Sequence, residues 1–178
     1  RTSNLNKKND NKIKIKKQKL MVIFRGINLE FFNNRNTSEK KTNALASSWK
    51  VDKKKFIILL PGRLTKWKGQ EVFIESLNLL VREYNNDNFH AVILGSDQGR
   101  EVYYKKLLLL VERYRLGKKI TFIENCKEMP LAYKLSDIVV SSSVEPEAFG
   151  RVAVEGQAMN KPVIASESGD PRETVLNG

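Results

Sequence analysis

The sequence predicts an α/β fold built on a doubly wound parallel sheet, with helices on both faces. Two observations predict it. Short apolar runs recur from residue 56 onward, and stretches with helical periodicity separate most of them. The runs are apolar at almost every position, which is typical of parallel strands buried on both faces. In such sheets, ligands bind beyond the carboxyl ends of the strands.

Five strands are predicted, at 56–60, 89–95, 119–123, 137–143 and 162–166. Helices are predicted at 69–84, 100–116, 129–136 and 150–159, and 38–49 is compatible with another. The helix at 69–84 carries one apolar face: Val72, Phe73, Ser76, Leu77, Leu80, Val81 and Tyr84. The helix at 100–116 does the same with Val102, Leu107, Leu110, Val111 and Tyr114, and Gly117 is predicted as its C-terminal cap.

The counts of charged residues separate residues 1–55 from the rest of the chain. Residues 1–55 hold 16 Lys and Arg against 4 Asp and Glu, whereas residues 56–178 hold 16 of each. We therefore predict a basic arm at 1–24, which ends in the apolar run 20–24, a connection at 25–55, and the folded domain at 56–178. The arm is either a solvated segment or a contact to an anionic membrane surface. Nucleic acid is disfavoured, since no aromatic residues alternate with these lysines.

The length of 178 residues suits one domain with an extension, and we expect the chain to be a piece of a longer protein. The single cysteine, Cys126, excludes an internal disulfide and is expected to be inert. No apolar run approaches the roughly 20 residues of a membrane span. These features predict a cytoplasmic protein, either free or peripheral on the inner face of the membrane.

Two cations follow the first predicted strand. Arg63 and Lys68 lie five residues apart in the loop GRLTKWKG, directly before a predicted helix. An Arg fork matches phosphate oxygens, a Lys adds a point charge, and the helix N-terminus favours anions. Taken alone, the pair is a weak signal that is better explained as structural or solvated surface charge. Neither GxxxxGK[ST] nor GxGxxG occurs, so a P-loop and a dinucleotide site are both disfavoured.

Two carboxylates follow the fourth predicted strand. Glu147 lies in a Pro- and Ser-rich loop, and Glu155 lies eight residues later in a predicted helix. Eight helical residues span about 12 Å, similar to the distance between two sugar rings that flank a diphosphate. The alternative is a pair of surface glutamates near a helix N-terminus, which the helix dipole favours on its own.

The remaining polar features carry weaker signals. The turn at 166–174 contains Gly169 and Glu173, and a βα turn explains it as well as a ligand contact does. His90, the single histidine, lies within a predicted strand and is expected to be structural. The sequence has no DxD motif and no Cys/His cluster, so we predict no bound metal and no cofactor.

Taken together, these motifs resemble glycosyltransferase family 4, the retaining enzymes with the two-domain GT-B fold. The likeness covers residues 22–178. It runs through FRGINLEFF, similar to the family's interdomain hinge, then LLPGRLTKWKGQ and LGSDQGR. It ends with SSSVEPEAFGRVAVEGQAMNKPVIAS, which carries the family's E-x7-E pattern. The resemblance implies the C-terminal, donor-binding domain, with 1–24 including the end of an N-terminal acceptor domain and 25–55 forming the hinge.

The resemblance also implies roles for individual residues. Arg63 and Lys68 would bind the donor diphosphate, Glu155 the ribose, and loop 124–127 would border the base. Glu147 and the backbone of Ala148, Phe149 and Gly150 would hold the donor sugar. Glu147, Arg63 and Lys68 are the predicted catalytic residues, and the donor pocket would also include Gly62, Gly95, Ser142, Gly169 and Asp170.

The chain departs from the family pattern at two places. Gly169-Asp170 stands where the family usually has two glycines, so that a carboxylate lies near the donor and can alter sugar choice. The chain also ends before the family's final strand and its returning helix, which makes the sheet incomplete at the C-terminus.

The implied activity is transfer of a sugar from a UDP- or GDP-type donor to a saccharide or lipid-linked acceptor, as in cell-envelope or lipopolysaccharide-type synthesis. The isolated chain would transfer little or nothing. Three alternatives remain open: a sugar-nucleotide epimerase on the same fold, a degenerate binding module, and a polyanion-binding module that uses the basic arm.

Overall fold

A computed structural model of the chain describes residues 26–147, 149–167 and 174–175. Helices and strands alternate through the described part. In order they are α1 (Glu39–Ser48), β1 (Phe56–Pro61), a 3-10 turn (Lys66–Lys68), α2 (Gln70–Tyr84), β2 (Phe89–Leu94), α3 (Glu101–Arg113), β3 (Ile120–Ile123), α4 (Met129–Leu135), β4 (Ile138–Ser141), α5 (Arg151–Ala158) and β5 (Val163–Ala165). All five predicted strands are present. The apolar run at 20–24 lies outside the described residues.

The five strands form one parallel sheet in the order β3-β2-β1-β4-β5. Strand β1 is central: Ile58 pairs with Ala91 of β2 on one side and with Ile138 of β4 on the other. The chain thus adds strands in one direction from β1 to β3 and then reverses to β4 and β5. The carboxyl ends of β1 and β4 meet where the direction reverses, which is where α/β sheets bind ligands.

Alternate residues of β1 enter two separate hydrophobic cores. Ile58 and Leu60 pack against α2 and α3 on one face of the sheet. Ile57 and Leu59 pack with α4, α5 and α1 on the other. Helices on both faces explain why the strands are apolar at consecutive positions. The predicted doubly wound α/β fold is confirmed.

The buried faces of two helices differ from the predicted ones. In α2 the buried apolar residues are Phe73, Ile74 and Leu77, whereas the predicted Val72 and Tyr84 are 45% and 74% exposed. In α3 the predicted Val102 is 85% exposed, because its neighbour Tyr103 takes the inward position. Periodicity finds an apolar stripe but does not fix which edge of it faces the sheet.

The predicted cap of α3 is also wrong. The helix ends at Arg113, and the left-handed residue after it is Arg115, with φ +56°. Leu116 follows and is almost fully buried, so the turn is fixed by burying this leucine. Gly117 lies one residue beyond the turn, where a side chain would meet no atom within 4 Å.

The segment 26–38, predicted to be part of a connection, packs on α4. Lys134 Nζ donates to the carbonyl oxygens of Asn34 (3.1 Å) and Thr37 (2.7 Å). Phe32 is buried and meets the ring of Tyr133 edge to face, with centroids 6.0 Å apart. These contacts fix the segment 26–38 to α4.

Strands β4 and β5 carry an apolar groove on the α2 side of the sheet. The groove encloses about 530 Å³ and is lined by Ile58, Val72, Leu77, Ile138 and Val140, among others. The partly exposed Val72 of α2 therefore borders an apolar surface. Within the described part of the chain, no helix combines the length and the apolar composition that crossing a membrane requires.

His90 has the structural position expected of it, and it makes stability depend on pH. It is buried in β2, where Nδ1 accepts from the amide of Asp52 (3.4 Å) and Nε2 lies 2.8 Å from Thr121 Oγ1. Burial, together with the charge of Lys55, lowers its pKa below 6.5. The unfolded chain therefore binds the proton first, and stability falls as pH drops through the unfolded-state pKa of about 6.5.

We expect the wild type to lose more stability than His90→Gln when the pH is lowered from 7.5 to 5.5. Urea unfolding of both proteins across this range measures the difference, and their shared carboxylates cancel in the comparison. Parallel pH profiles would contradict the prediction.

Candidate functional site

The loop after β1 carries the two predicted cations, and hydrogen bonds fix its backbone. The amide of Leu64 donates to the carbonyl of Ser96 (3.0 Å). Gln70, which is fully buried, donates from Nε2 to the carbonyl of Arg63 (2.9 Å) and accepts from the hydroxyl of Tyr103 (3.2 Å). The backbone of Arg63 is therefore fixed, while the residue itself is exposed at the edge of a cleft.

Gly69 ends this loop and begins α2. Its φ is +69°, and a Cβ there would lie 1.9 Å from the carbonyl oxygen of Ser142. The hydroxyl of Ser142 donates to the carbonyls of Lys68 (3.2 Å) and Gly69 (3.0 Å). Ser142, predicted to be in the donor pocket, thus lies against the backbone of the loop and lines the apolar groove. Its contacts support the loop from the β4 side.

Lys68 and Glu147 form a shielded ion pair across the carboxyl ends of β1 and β4. Lys68 Nζ lies 2.6 Å from Glu147 Oε1, and the two side chains are 14% and 7% exposed. Ser143 also donates its hydroxyl to Oε1. Lys68 Nζ lies 4.4 Å from the centroid of the Trp67 ring, a cation–π distance. Among the described residues both carboxylate contacts fall on Oε1, which leaves Oε2 for another donor.

Glu155 lies one helical turn into α5, with its carboxylate almost fully buried. Tyr133, from α4, donates its hydroxyl to Oε2 at 2.7 Å. Arg151 places Nε at 3.0 Å and Nη2 at 2.8 Å from Oε1. Burial and the charge of Glu155 raise the pKa of Tyr133 well above 10. The tyrosine hydroxyl therefore stays protonated and donates at neutral pH.

One cleft of about 1120 Å³ brings most predicted site residues together. It lies at the carboxyl ends of β1 and β4, where the strand order reverses. Its lining includes Gly62, Arg63, Lys68, Glu147, Phe149, Gly150 and Glu155, together with Gly26, Ile27, Asn28, Phe31 and Phe32 of the segment before α1. Cations, carboxylates and aromatic residues thus share one open cavity, which has the composition to hold a polyhydroxylated diphosphate.

Other predicted residues lie elsewhere. Gly95 lines a separate cavity of about 220 Å³, together with Asp97 and Glu124. A Cβ on Gly95 would lie 2.1 Å from the carbonyl oxygen of Gly62, so this glycine lets the loops after β1 and β2 touch. Four predicted positions lie outside the described residues: Ala148, Gly169, Asp170 and Glu173.

The sequence analysis missed four residues of the site. Ser143 and Trp67 stand beside predicted residues, and a search for donors and aromatic groups next to Glu147 and Lys68 would have found them. Arg151 stands four residues before Glu155, a helical spacing that signals an ion pair. Tyr133 gave no signal, because a tyrosine in a short apolar helix is typical of a core.

The described residues contain no group of three His, Cys, Asp or Glu side chains that could hold a metal ion. Cys126 packs beside the core under α4, and burial raises the pKa of its thiol. A protonated, partly buried thiol is a poor nucleophile, which agrees with the predicted inert role.

Residues 41–178 match the family model described as glycosyl transferases group 1. Among curated proteins, the chain is 34% identical over 161 residues to an uncharacterized glycosyltransferase of Methanocaldococcus jannaschii. That alignment covers 88% of this chain and 38% of the relative. The chain thus spans less than half the length of this relative.

Solved structures show the same fold. A glycosyltransferase from Rickettsia africae is 35% identical with a TM-score of 0.90, covering 99% of this chain and 46% of that one. Anabaena HepE, in complex with UDP-glucose, is 27% identical with a TM-score of 0.77, covering 88% and 41%. In each comparison the chain matches less than half of the larger protein.

Proposed function

The chain belongs to the glycosyl transferases group 1 family, and on this premise we propose that it is the donor-binding part of a retaining, metal-independent glycosyltransferase. One observation carries the proposal: Lys68, Glu147 and Glu155 line a single cleft at the reversal point of the sheet. A nucleotide sugar presents a diphosphate between two hydroxyl-bearing rings. Cations between two carboxylates complement that pattern.

Arg63 and Lys68 bind the diphosphate in this proposal. As the bond from sugar to phosphate breaks, negative charge grows on the leaving nucleoside diphosphate, and fixed cations stabilise that charge without a metal ion. Lys68 Nζ, now on Glu147, turns toward the phosphate when the donor enters. Its position over Trp67 supports this role, because the ring gives the ammonium a partner other than Glu147.

Glu147 accepts hydrogen bonds from the transferred sugar through Oε2, and the backbone of 148–150 flanks that sugar. Glu155 accepts from the ribose hydroxyls. The acceptor attacks from the face that the diphosphate leaves, so that the anomeric configuration is kept and no enzyme nucleophile is needed.

The acceptor, a saccharide or lipid-linked glycan, binds to the part of the full protein that corresponds to the remaining length of the relatives. Residues 1–24 form the end of that part and 25–55 the hinge. In this proposal the isolated chain binds the donor and transfers little sugar. The full protein works in the cytoplasm, either free or with peripheral contact to the inner face of the membrane through the basic arm.

The donor base is uracil or guanine, and the similarity to HepE, which was crystallised with UDP-glucose, favours uracil. Thermal unfolding of the chain with UDP, UDP-glucose, GDP and GDP-mannose, each in EDTA, tests both. A ligand at 100 times its Kd stabilises by about 2.7 kcal/mol. For a chain of this size that raises Tm by roughly 5 to 10 °C.

Glu155→Gln should remove most of this shift, because the neutral amide accepts more weakly from ribose hydroxyls and also presents donors to them. Glu101→Gln is the matched control, since Glu101 is an exposed carboxylate of α3 that pairs only at the surface with Lys105. A folded wild-type chain that no nucleotide stabilises would contradict the proposal, and salt-sensitive binding to a polyanion would favour the basic-arm alternative.

A further inference from the structure

A side chain outside the cleft lining holds the carboxylate of Glu155. Tyr133 is fully buried in α4 and reaches Glu155 Oε2 from below, with 2.7 Å between the oxygens. Glu155 itself is 6% exposed, so its protein hydrogen-bond partners, and not solvent, set the orientation of its carboxylate. Hydrogen bonds to an ionised acceptor in a buried position are among the strongest in proteins. The direction in which Glu155 faces the cleft is therefore set by α4.

The second partner of Glu155 differs in kind. Both Arg151 contacts fall on Oε1, and the arginine side chain is 68% exposed. The guanidinium of this i,i+4 pair is open to solvent, whereas the Tyr133 hydroxyl is not. A donor entering the cleft can thus displace Arg151 from Oε1, whereas nothing from the cleft reaches Tyr133.

Each carboxylate oxygen accepts at more than one lone-pair site. With Tyr133 on one site of Oε2, the other site and the whole of Oε1 are available once Arg151 leaves. That is sufficient for two vicinal hydroxyls.

We propose that Tyr133 is a positioning residue for ribose recognition: its hydroxyl fixes the Glu155 carboxylate so that both oxygens face the ribose hydroxyls. The inference rests on the proposed function, in which Glu155 accepts from ribose. We infer further that the preference for ribonucleotides over nucleotides without the 2′- and 3′-hydroxyls depends on the hydrogen bond from Tyr133 to Glu155, which lies outside the cleft.

The test compares the Kd of UDP with the Kd of 2′,3′-dideoxy-UDP for the chain by titration calorimetry, with the guanosine pair run in parallel. We expect the wild type to prefer the ribonucleotide by about tenfold or more, as is usual for hydrogen bonds to a charged group. In Tyr133→Phe the preference should fall below about threefold, mainly through weaker binding of the ribonucleotide. The Kd of the dideoxynucleotide should change little.

Tyr103→Phe is the matched control. It removes another buried tyrosine hydroxyl, but one whose partner, Gln70, is bonded to the carbonyl of Arg63. Any loss there should affect both nucleotides equally and leave their ratio unchanged. The same equal loss in Tyr133→Phe would show a purely structural role and overturn the inference.

Arg151→Gln keeps the inference falsifiable even if Tyr133→Phe does not fold, since Arg151 is a surface residue. We expect this variant to retain the preference for the ribonucleotide. Because Arg151 is a cation that lines the cleft, any change in affinity should affect both nucleotides alike. If it loses the preference, Arg151 positions Glu155 and the inference about Tyr133 is wrong.

The assay also separates this inference from the proposed function. If the wild type binds UDP or GDP without preferring it to the dideoxy form, the ribose role of Glu155 and the role of Tyr133 both fall, while a diphosphate site remains. If the wild type binds no nucleotide, the proposed function itself is contradicted, and the inference about Tyr133 fails with it.

Discussion

Replacing Lys68 with methionine is expected to lower the free energy of unfolding by about 3 kcal/mol and to remove stabilisation by nucleoside diphosphates. The stability loss follows from Glu147, whose side chain is 7% exposed and would keep a buried charge without its cation. Ser143 would remain as a neutral donor only. The binding loss follows from removing the cation proposed to meet the diphosphate. Urea unfolding and nucleotide thermal shifts measure the two effects.

A second substitution separates the two effects. Glu147→Gln in the Lys68→Met background removes the unpaired charge, so it should recover much of the stability but none of the nucleotide binding. Lys105→Met is the surface control, because the pair of Lys105 with Glu101 is more than 70% exposed on both sides and should change stability by less than about 0.5 kcal/mol. If Lys68→Met is as stable as the wild type, the shielded ion pair of Lys68 with Glu147 does not stabilise the fold.

Gly69→Ala is expected to destabilise the chain by about 3 to 4 kcal/mol. The new methyl group would require an L side chain at φ +69° and would place its carbon 1.9 Å from the carbonyl oxygen of Ser142. The left-handed conformation costs roughly 1 to 2 kcal/mol, and forcing two backbones apart adds at least as much. Because the displaced backbone joins Lys68 to α2, nucleotide binding should weaken in any folded fraction.

Substitutions at two other glycines separate the conformational part of this cost from the steric part. Gly99 has φ +79° but open space around it, so Gly99→Ala should cost only the conformational part, about 1 kcal/mol. A side chain on Gly117 would meet no neighbouring atom, and Gly117→Ala should stay within about 0.5 kcal/mol of the wild type. Equal losses at Gly69 and Gly99 would show that the contact with Ser142 relaxes freely.

The sheet was predictable because burial on both faces leaves a direct mark on the sequence. A strand such as Ile57–Leu60 must be apolar at each position when alternate residues enter two cores. The buried face of a helix is harder to predict from the sequence. Val72 and Val102 fit the apolar periodicity but lie on the exposed side of their helices. Which residue faces the sheet depends on how the helix rotates against its neighbours.

The site was predictable where charge stands in a loop. Lys68 and Glu147 are 79 residues apart, yet each follows a strand of a parallel sheet, and the fold brings such loops to one edge. The role of Tyr133 was not predictable, because its hydroxyl meets Glu155 only when α4 and α5 pack on the same face of the sheet. The family resemblance implied that Gly95 lies in the donor pocket, and its close approach to the backbone of Gly62 could not be predicted from the sequence.

The edge-to-face contact of Phe32 with Tyr133 has a thermodynamic consequence. Phe32 belongs to the segment before α1, and the same tyrosine ring carries the hydroxyl that holds Glu155. If a ligand on Glu155 changes how firmly Phe32 is seated, linkage requires the converse by an equal free energy. A contact that stabilises or displaces the chain before Phe32 would then change the affinity for the nucleotide by the same free energy, without contacting the nucleotide.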